Sequence, residues 1–315
     1  MSKGSNYLPP LQAWLLPTAA LATIAAIVWL QPRFLSGENL INVLRQTSFL
    51  AIFALAQMVP ILTRGLDLSQ GGVVTITSVC FAIAANIVGT ELGAVFGLIV
   101  GLSAGFLSGF LTAIVGISPF VATLGVGFAL QGLALILSNG QPVFDVPSNF
   151  GYIGYGILFG IPIPVLVAIT VFVFAQVVLR MTVPGRFIYA VGSNSQAATL
   201  SGIPVKIVIV LTYVLSGFLT GLGSLLLSSR ISSGHPTAGT DTALQAIAAV
   251  VIGGVSLFGG RGSPIGVLLG ALYLGILGNA LNLLNISSYV QQVVVGTAII
   301  LAVTLDRFRA IDKRI

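Results

Sequence analysis

The dominant feature of this sequence is a series of apolar stretches, each close to the length at which a helix crosses a lipid bilayer. A helix needs about 20 apolar residues to cross the hydrocarbon core. Ten stretches approach this length, at residues 14–30, 42–62, 71–89, 92–115, 119–139, 157–179, 207–228, 243–259, 264–284 and 289–305. Only 6% of the residues are charged, whereas soluble domains carry about 25%. The sequence therefore predicts an all-α, polytopic membrane protein with about ten transmembrane helices in a single domain over residues 1–315.

The basic residues orient these predicted spans in the bilayer. The first stretch is followed by Gln31-Pro32-Arg33 and not by a small-residue cleavage site, so we expect it to remain as a span. An even number of spans puts both termini on one side. Ten basic residues share that side: Lys3, Arg64, Arg180, Arg186, Lys206, Arg261, Arg307, Arg309, Lys313 and Arg314. Only Arg33 and Arg230 lie on the other side, so the positive-inside rule predicts that both termini are cytoplasmic.

Several kinds of chemistry are excluded by what the sequence lacks. Cys80 is the only cysteine and His235 the only histidine, so neither an internal disulfide nor a thiolate metal site can form. None of the three lysines fits a phosphate-binding loop. The net charge of +6 rests on too few charges to be a nucleic-acid footprint. We therefore expect no metal, no cofactor and no nucleic-acid partner, and any ATPase would be a separate polypeptide.

An internal repeat relates the two halves of the chain. A shift of 169 residues lays Gly93, Gly97, Gly101 and Gly109 on Gly262, Gly266, Gly270 and Gly278. The shift maps the fourth span onto the ninth, and this odd offset predicts an inverted repeat over about 39–140 and 207–305. Inverted repeats are a recurrent design of transporters. Glycine at every fourth position also lets helices pack closely, and we expect both explanations to hold.

Carboxylates and amides indicate how such a bundle could handle a solute. We expect every Asp and Glu at or near a span end, whereas ion-coupled carriers commonly use intramembrane acids. A secondary carrier or facilitator is thus disfavoured but stays as the alternative function. Uncharged amides are candidates for a translocation pathway, or else for hydrogen bonds between packed helices. The candidates are Gln57, Asn279 and Asn282, with Gln46, Asn285, Gln291 and Gln292 as further polar positions.

Arg45 and His235 have simpler interpretations. Arg45 lies a few residues from the outer end of its span and can extend to the headgroups. His235 is expected to be a solvated loop residue or a partner contact. With a single histidine in an outer loop, a membrane-embedded hydrolase with a Ser-His-Asp arrangement is disfavoured.

The longest inner connection, residues 181–206, predicts a short helix outside the bilayer. Asn194 can cap a helix over Ser195–Leu200, Gly202 suits its end, and Pro204 prevents its continuation. From these residues alone the short helix is either a lever on which another protein docks or a connector at the membrane surface.

A series of ordered motifs resembles a known family. In the first half these are Gly65-Leu66-Asp67-Leu68-Ser69 and Pro119-Phe120-Val121-Ala122-Thr123-Leu124-Gly125; the inner connection contributes 185–194, and the second half contributes 236–239, 246–254, 256–262 and 279–284. Together they resemble the permease subunits of ribose-type ATP-binding-cassette sugar importers, which are distant relatives of branched-chain amino acid permeases. The resemblance covers about residues 40–305.

The resemblance implies a permease for a monosaccharide or similar small polar solute in the bacterial cytoplasmic (inner) membrane. It implies a second permease copy or paralogue, an extracytoplasmic solute-binding protein and a cytoplasmic ATP-binding-cassette ATPase as partners. It also implies that the inner connection docks into the ATPase. The residues that would carry this coupling are Arg186, Asn194, Ala197, Ala198 and Gly202.

Three departures from the family pattern bear on these expectations. The chain has Arg64-Gly65-Leu66-Asp67 where the family usually has Gly-Gly-Ile-Asp, and Gln131-Gly132 replaces an Arg-Gly pair. Thr242-Ala243-Leu244-Gln245 stands where the family often has Tyr-Glu-Leu-Asp. We expect the lost charges to alter the outer gate, the contact with the binding protein, or the solute.

Overall fold

The structure, a computed structural model, describes residues 15–144, 146–147, 150–287, 289–294, 296–297, 300 and 304. Its helices are α1 (Leu15–Leu30), α2 (Gly37–Leu62), α3 (Gln70–Val88), α4 (Thr90–Phe110), α5 (Pro119–Leu137), α6 (Gly151–Tyr155), α7 (Ile163–Met181), α8 (Val183–Ser193), α9 (Ser195–Leu200), α10 (Val205–Ile231), α11 (Thr242–Ile252) and α12 (Pro264–Leu283). Short 3₁₀ and π-helical turns occupy Pro32–Leu35 and Leu111–Val115. A two-stranded antiparallel hairpin joins β1 (Ile157–Leu158) to β2 (Ile161–Pro162).

Seven helices of the described part are long and apolar enough to cross a membrane, so the chain is an all-α polytopic membrane protein. They are α2, α3, α4 with its π-helical extension, α5, α7, α10 and α12. Three of the ten predicted spans differ from this pattern. The first forms α1, which has 16 residues. The eighth forms only the 11 residues of α11, because the chain turns at Gly253-Gly254, where Gly254 has φ +80°. The tenth lies partly outside the described residues.

The sixth predicted span begins later than its hydropathy suggested. Residues 157–162 are apolar enough to extend a helix, yet they form the β1–β2 hairpin. Helix α7 then starts at Ile163, with Pro164 in its first turn, where a proline costs no hydrogen bond.

Helix α2 is the centre of the bundle. Every residue from Ala51 to Leu62 is buried, and α2 contacts α7, α8, α10, α11 and α12. The outward faces of α4, α5 and α7 instead expose large apolar side chains, among them Phe106, Phe128 and Phe174. An exposed apolar face on a long apolar helix suits contact with lipid.

Glycines bring pairs of helices into backbone contact. A Cβ added to Gly101 would collide with the Gly217 carbonyl, and one added to Gly105 would collide with the Tyr213 carbonyl, so α4 and α10 run antiparallel. Helix α12 likewise runs antiparallel to α2, since Asn279 lies beside Asn39 and Gly275 beside Thr47. These close approaches are available only where a side chain is missing.

We refer to the two ends of the bundle by α2, as the Gly37 end and the Leu62 end. Helix α10 runs antiparallel to α2, because Gly223 packs on Phe53 whereas Thr212 lies beside Thr63, with 3.4 Å between their hydroxyl oxygens. The start of α2 and the end of α10 therefore meet at the Gly37 end, and the connection between α7 and α10 lies at the Leu62 end.

Candidate functional site

A cavity of about 510 Å³ opens at the Gly37 end of the bundle. It lies between the first half of α2, the start of α11, the second half of α12 and the helical residues that follow α12. Its lining residues are Gln46, Leu50, Asp241, Leu244, Gln245, Leu274, Gly275, Gly278, Asn282, Gln291, Gln292 and Gly296. The cavity thus combines amide groups and one carboxylate with apolar walls.

A second cavity of about 320 Å³ adjoins the first and shares Gln46, Leu50, Asp241 and Gln245 with it. It adds three threonine hydroxyls, at Thr237, Thr240 and Thr242, and reaches Arg230 at the end of α10. The guanidinium of Arg230 sits 5.6 Å from the ring centre of Phe49. Nearby, Arg45 donates a hydrogen bond of 3.3 Å to the Tyr155 carbonyl.

The cavity chemistry suits a neutral, polar solute. The Gln291 amide donates to Asn282 Oδ1 at 2.8 Å, which orders both side chains against the lining. Gln46, Gln245 and Gln292 present amides that can both donate and accept hydrogen bonds to hydroxyl groups. Few precisely placed polar groups within an apolar surround are typical of small-molecule sites, which span about 300–1,000 Å³.

Of the three predicted pathway residues, only Asn282 lines this cavity. Asn279 is buried and its amide forms two reciprocal hydrogen bonds of 2.9 Å with the amide of Asn39. Asn39 also donates to the Phe34 carbonyl. The geometry of Asn279 therefore supports the alternative of a hydrogen bond between packed helices.

Gln57 is fully buried and lines neither cavity. With its amide oriented to satisfy both groups, it donates to the Asp67 carbonyl at 3.0 Å and accepts from the Asp67 N–H at 3.2 Å. Both polar groups of its amide are therefore hydrogen-bonded to the backbone of the segment that follows α2. Gln57 is thus placed to hold backbone and not to contact a solute.

Gln245, Asp241 and Arg230 line the cavities, although the sequence did not single them out as pathway residues. Hydropathy assigns Thr242–Ile252 to one apolar stretch and hides the fact that its first turn faces a cavity. The signal that could have identified Gln245 was the departure from the family pattern at this position.

At the Leu62 end, the predicted short helix is confirmed as α9. The Asn194 side chain caps it by accepting from the N–H groups of Gln196 and Ala197 at 3.0 Å each. Gly202 ends it with φ +80°. Arg186 and Ala197 are exposed, whereas Ala198 is buried against the bundle. The outer surface of α9 instead carries Leu200, whose side chain is 90% exposed.

Helix α8 is fastened to two other elements at this end. Arg64 Nε donates to the Gly192 carbonyl at 2.6 Å, and the Tyr189 hydroxyl donates to the Gly262 carbonyl at 2.9 Å. Burial raises the pKa of the Tyr189 phenol and so favours its protonated, donating form. The cavity and the α8–α9 loop thus lie at opposite ends of the bundle, joined through α2 and α10.

The comparison with known proteins assigns this architecture to a family. The model of the family described as "Branched-chain amino acid transport system / permease component" matches residues 39–303. No solved structure is significantly similar to the chain.

Individual relatives are import permeases. The ribose import permease protein RbsC of Haemophilus influenzae is 41% identical over 303 residues, which cover 94% of this chain and 93% of that protein. RbsC of Bacillus subtilis is 42% identical over 284 residues, covering 88% and 87%. The D-allose transport system permease protein AlsC of Escherichia coli is 33% identical over 299 residues, covering 91% and 89%. These relatives are transport permeases and not enzymes.

Proposed function

Because this chain belongs to the family of ATP-binding-cassette sugar permeases, we propose that it is the membrane subunit of an ATP-driven importer for a monosaccharide. The observation that carries the proposal is the polar cavity at the Gly37 end of an otherwise apolar bundle. Its amides and hydroxyls match a solute rich in hydroxyl groups. Ribose and allose, for which the relatives are named, are the first solutes to test.

The charge distribution supports a cytoplasmic location for the Leu62 end. Basic residues cluster at this end: Arg64 just after α2, Arg180 in the last turn of α7, Arg186 in α8, Lys206 at the start of α10 and Arg261 just before α12. Basic residues favour the cytoplasmic side of a membrane. The cavity then faces the outside of a bacterial cytoplasmic membrane, and both termini are cytoplasmic.

An inverted repeat would explain how the cavity changes sides. Under the proposed repeat, α2, α3 and α4 correspond to α10, α11 and α12. The first helix of each unit packs on the third helix of the other, α2 on α12 and α10 on α4, and both pairs are antiparallel. The antiparallel run of α2 and α10 supports units of opposite orientation. Rocking of such units against each other gives alternating access.

The driving force would come from partners. We assign α9, capped by Asn194 and ended by Gly202, together with Arg186, to docking on a cytoplasmic ATPase. Leu200 is the exposed apolar side chain that such a contact would bury. A second permease copy or paralogue and an extracytoplasmic solute-binding protein would complete the importer.

Reconstitution tests this function directly. The full chain is placed in proteoliposomes with and without the ATPase subunit and the solute-binding protein, and uptake of radiolabelled D-ribose and D-allose is measured. The expected result is accumulation that requires ATP and both partners. Uptake by the chain alone, down a gradient and without ATP, would instead establish the facilitator alternative.

A further inference from the structure

The segment between α2 and α3, residues 63–69, turns back into the bundle. Helix α2 ends at Leu62, Arg64 takes a left-handed conformation with φ +67°, and α3 begins only at Gln70. The Gln70 side chain donates to the Phe53 carbonyl at 2.8 Å. Since Phe53 lies nine residues before the end of α2, the amide of Gln70 reaches a point about 13 Å back along that helix.

The first residues of this segment are hydrogen-bonded to the end of α8. Arg64 Nε donates to the Gly192 carbonyl at 2.6 Å, and Arg64 Nη2 donates to the Ser193 carbonyl at 2.5 Å. Gly192 itself packs so closely on the Leu62 carbonyl that a Cβ would collide with it. Ser193 precedes Asn194, the cap of α9. Arg64 therefore fixes the end of α8, next to α9, the helix that we propose docks on the ATPase.

The later residues of the segment lie inside the bundle and are hydrogen-bonded to α10. Asp67 is 1% exposed, and its carboxylate accepts hydrogen bonds from the Ser216 hydroxyl at 2.7 Å and from the Ser69 hydroxyl at 2.5 Å. Ser216 lies in the middle of α10, eleven residues after its start at Val205. The Tyr213 hydroxyl, one turn earlier, donates to the Leu66 carbonyl at 3.3 Å.

Two further contacts stiffen the segment between these attachments. Gln57 of α2 bonds to both backbone groups of Asp67. The Thr123 hydroxyl of α5 accepts from the Leu68 N–H at 3.0 Å, while its own proton is directed to the Pro119 carbonyl at 2.8 Å. A short segment whose backbone is held on several sides transmits a displacement of one end to the other instead of absorbing it.

We propose that residues 63–69 mechanically link α8 and α9, at the Leu62 end, to the interior of the bundle. Arg64 binds the end of α8 through hydrogen bonds, and Asp67 positions α10. The proposal rests on the proposed function, because it assumes that an ATPase docks on α9. Movement of α8 and α9 then displaces Arg64, and the Asp67–Ser216 contact transmits this displacement to the middle of α10. The end of α10 lines the second cavity at Leu227 and Arg230. Asp67 acts here as a positioning residue that touches no solute.

Hydrogen–deuterium exchange tests the link without knowledge of the solute. The full chain, co-purified with its ATPase subunit in nanodiscs, is compared with and without a non-hydrolysable ATP analogue. Wild type is expected to show nucleotide-dependent exchange at both 183–202 and 63–69. In Arg64→Gln the change at 183–202 should persist while the change at 63–69 is lost. In wild type the part of α10 that follows Ser216, residues 217–231, should respond as well. In Ser216→Ala the change should persist at 183–202 and 63–69 and be lost at 217–231. The first turns of α10 do not report on the link, because residues 201–204 join them directly to α9.

Ser224→Ala is the matched control for Ser216→Ala. Both serines are buried in α10 and each donates one hydrogen bond of 2.7 Å, but Ser224 donates to the Val74 carbonyl and not to Asp67. Ser224→Ala should keep the nucleotide response of α10 despite a similar loss of stability. Identical responses in the two variants, or no response of 63–69 in wild type, would overturn the link. Failure of the chain to bind the ATPase at all would count against the proposed function instead.

Discussion

At the scale of single residues, the fate of the buried amides depends on which partner each one meets. Asn279, Gln57 and Asn282 all carry a side-chain amide, yet their surroundings differ. Asn279 pairs with Asn39, Gln57 is hydrogen-bonded to backbone groups, and Asn282 lines the first cavity. An unpaired amide in an apolar interior is costly, which is why Asn279 and Gln57 are paired inside the bundle whereas Asn282 can face a cavity.

The Asn39–Asn279 pair yields a stability prediction. Asn279→Ala leaves the Asn39 amide without its partner, which costs about 1–3 kcal/mol. The midpoint of thermal unfolding in nanodiscs should fall, while the KM of solute uptake stays unchanged. Replacing both residues by leucine should recover part of the loss. A changed KM with unchanged unfolding would contradict the structural role.

For Gln245 we expect a change in solute uptake and little change in stability. Its amide lines both cavities, so Gln245→Ala should remove a solute contact worth about 0.5–1.5 kcal/mol and raise the KM of uptake by up to about tenfold. Thermal unfolding should change little because the side chain is exposed. Thr170→Ala, exposed on α7 and outside the lining of both cavities, serves as the control and should leave KM unaltered. Equal KM values in wild type and Gln245→Ala would remove Gln245 from the pathway.

At the scale of elements, glycine decides how closely two helices approach. Gly105→Ala places a methyl group against the Tyr213 carbonyl of α10, so α4 and α10 must separate and the thermal midpoint should fall. At Gly125 in α5, no heavy atom of the residues that the structure describes lies within 4 Å of an added methyl group. Gly125→Ala should gain about 0.4–1 kcal/mol from a less flexible unfolded chain. Equal effects of the two substitutions on unfolding would contradict the glycine contact.

Helix α9 yields a prediction for coupling. If Leu200 is buried by a docked ATPase, Leu200→Asp removes about 1.5–3 kcal/mol of apolar burial and weakens ATPase binding tenfold or more. The measurement is the dissociation constant between the full chain in nanodiscs and the isolated ATPase subunit. Phe159→Asp, at an exposed apolar position of the β1–β2 hairpin at the Gly37 end, should bind as wild type does. Ala198 is unsuitable for this test because its side chain is buried.

At the scale of the whole molecule, α10 must place its two ends on opposite sides of the bilayer. In a Cys80→Ser background, Ser195→Cys and Thr240→Cys flank α10 at exposed positions. A membrane-impermeant maleimide should label Thr240→Cys from outside intact cells and Ser195→Cys only after the membrane is opened. Labelling of both from the same side would contradict the topology, and the reverse pattern would invert the proposed orientation.

The membrane class, the seven long apolar helices and the short helix α9 could be predicted from the sequence, because apolar length and capping are local properties of a chain. The sequence did not reveal that α11 stops after 11 residues or that residues 157–162 form a hairpin, since both depend on what surrounds those apolar segments.

Which polar groups face the cavity, and which form hydrogen bonds inside the bundle, depends on how the helices pack. Asp67 follows α2 in the sequence and so was expected at a span end, yet the folded chain buries it beside the middle of α10. Hydrogen-bond partners more than a hundred residues apart cannot be read from spacing, because they exist only once the helices have packed.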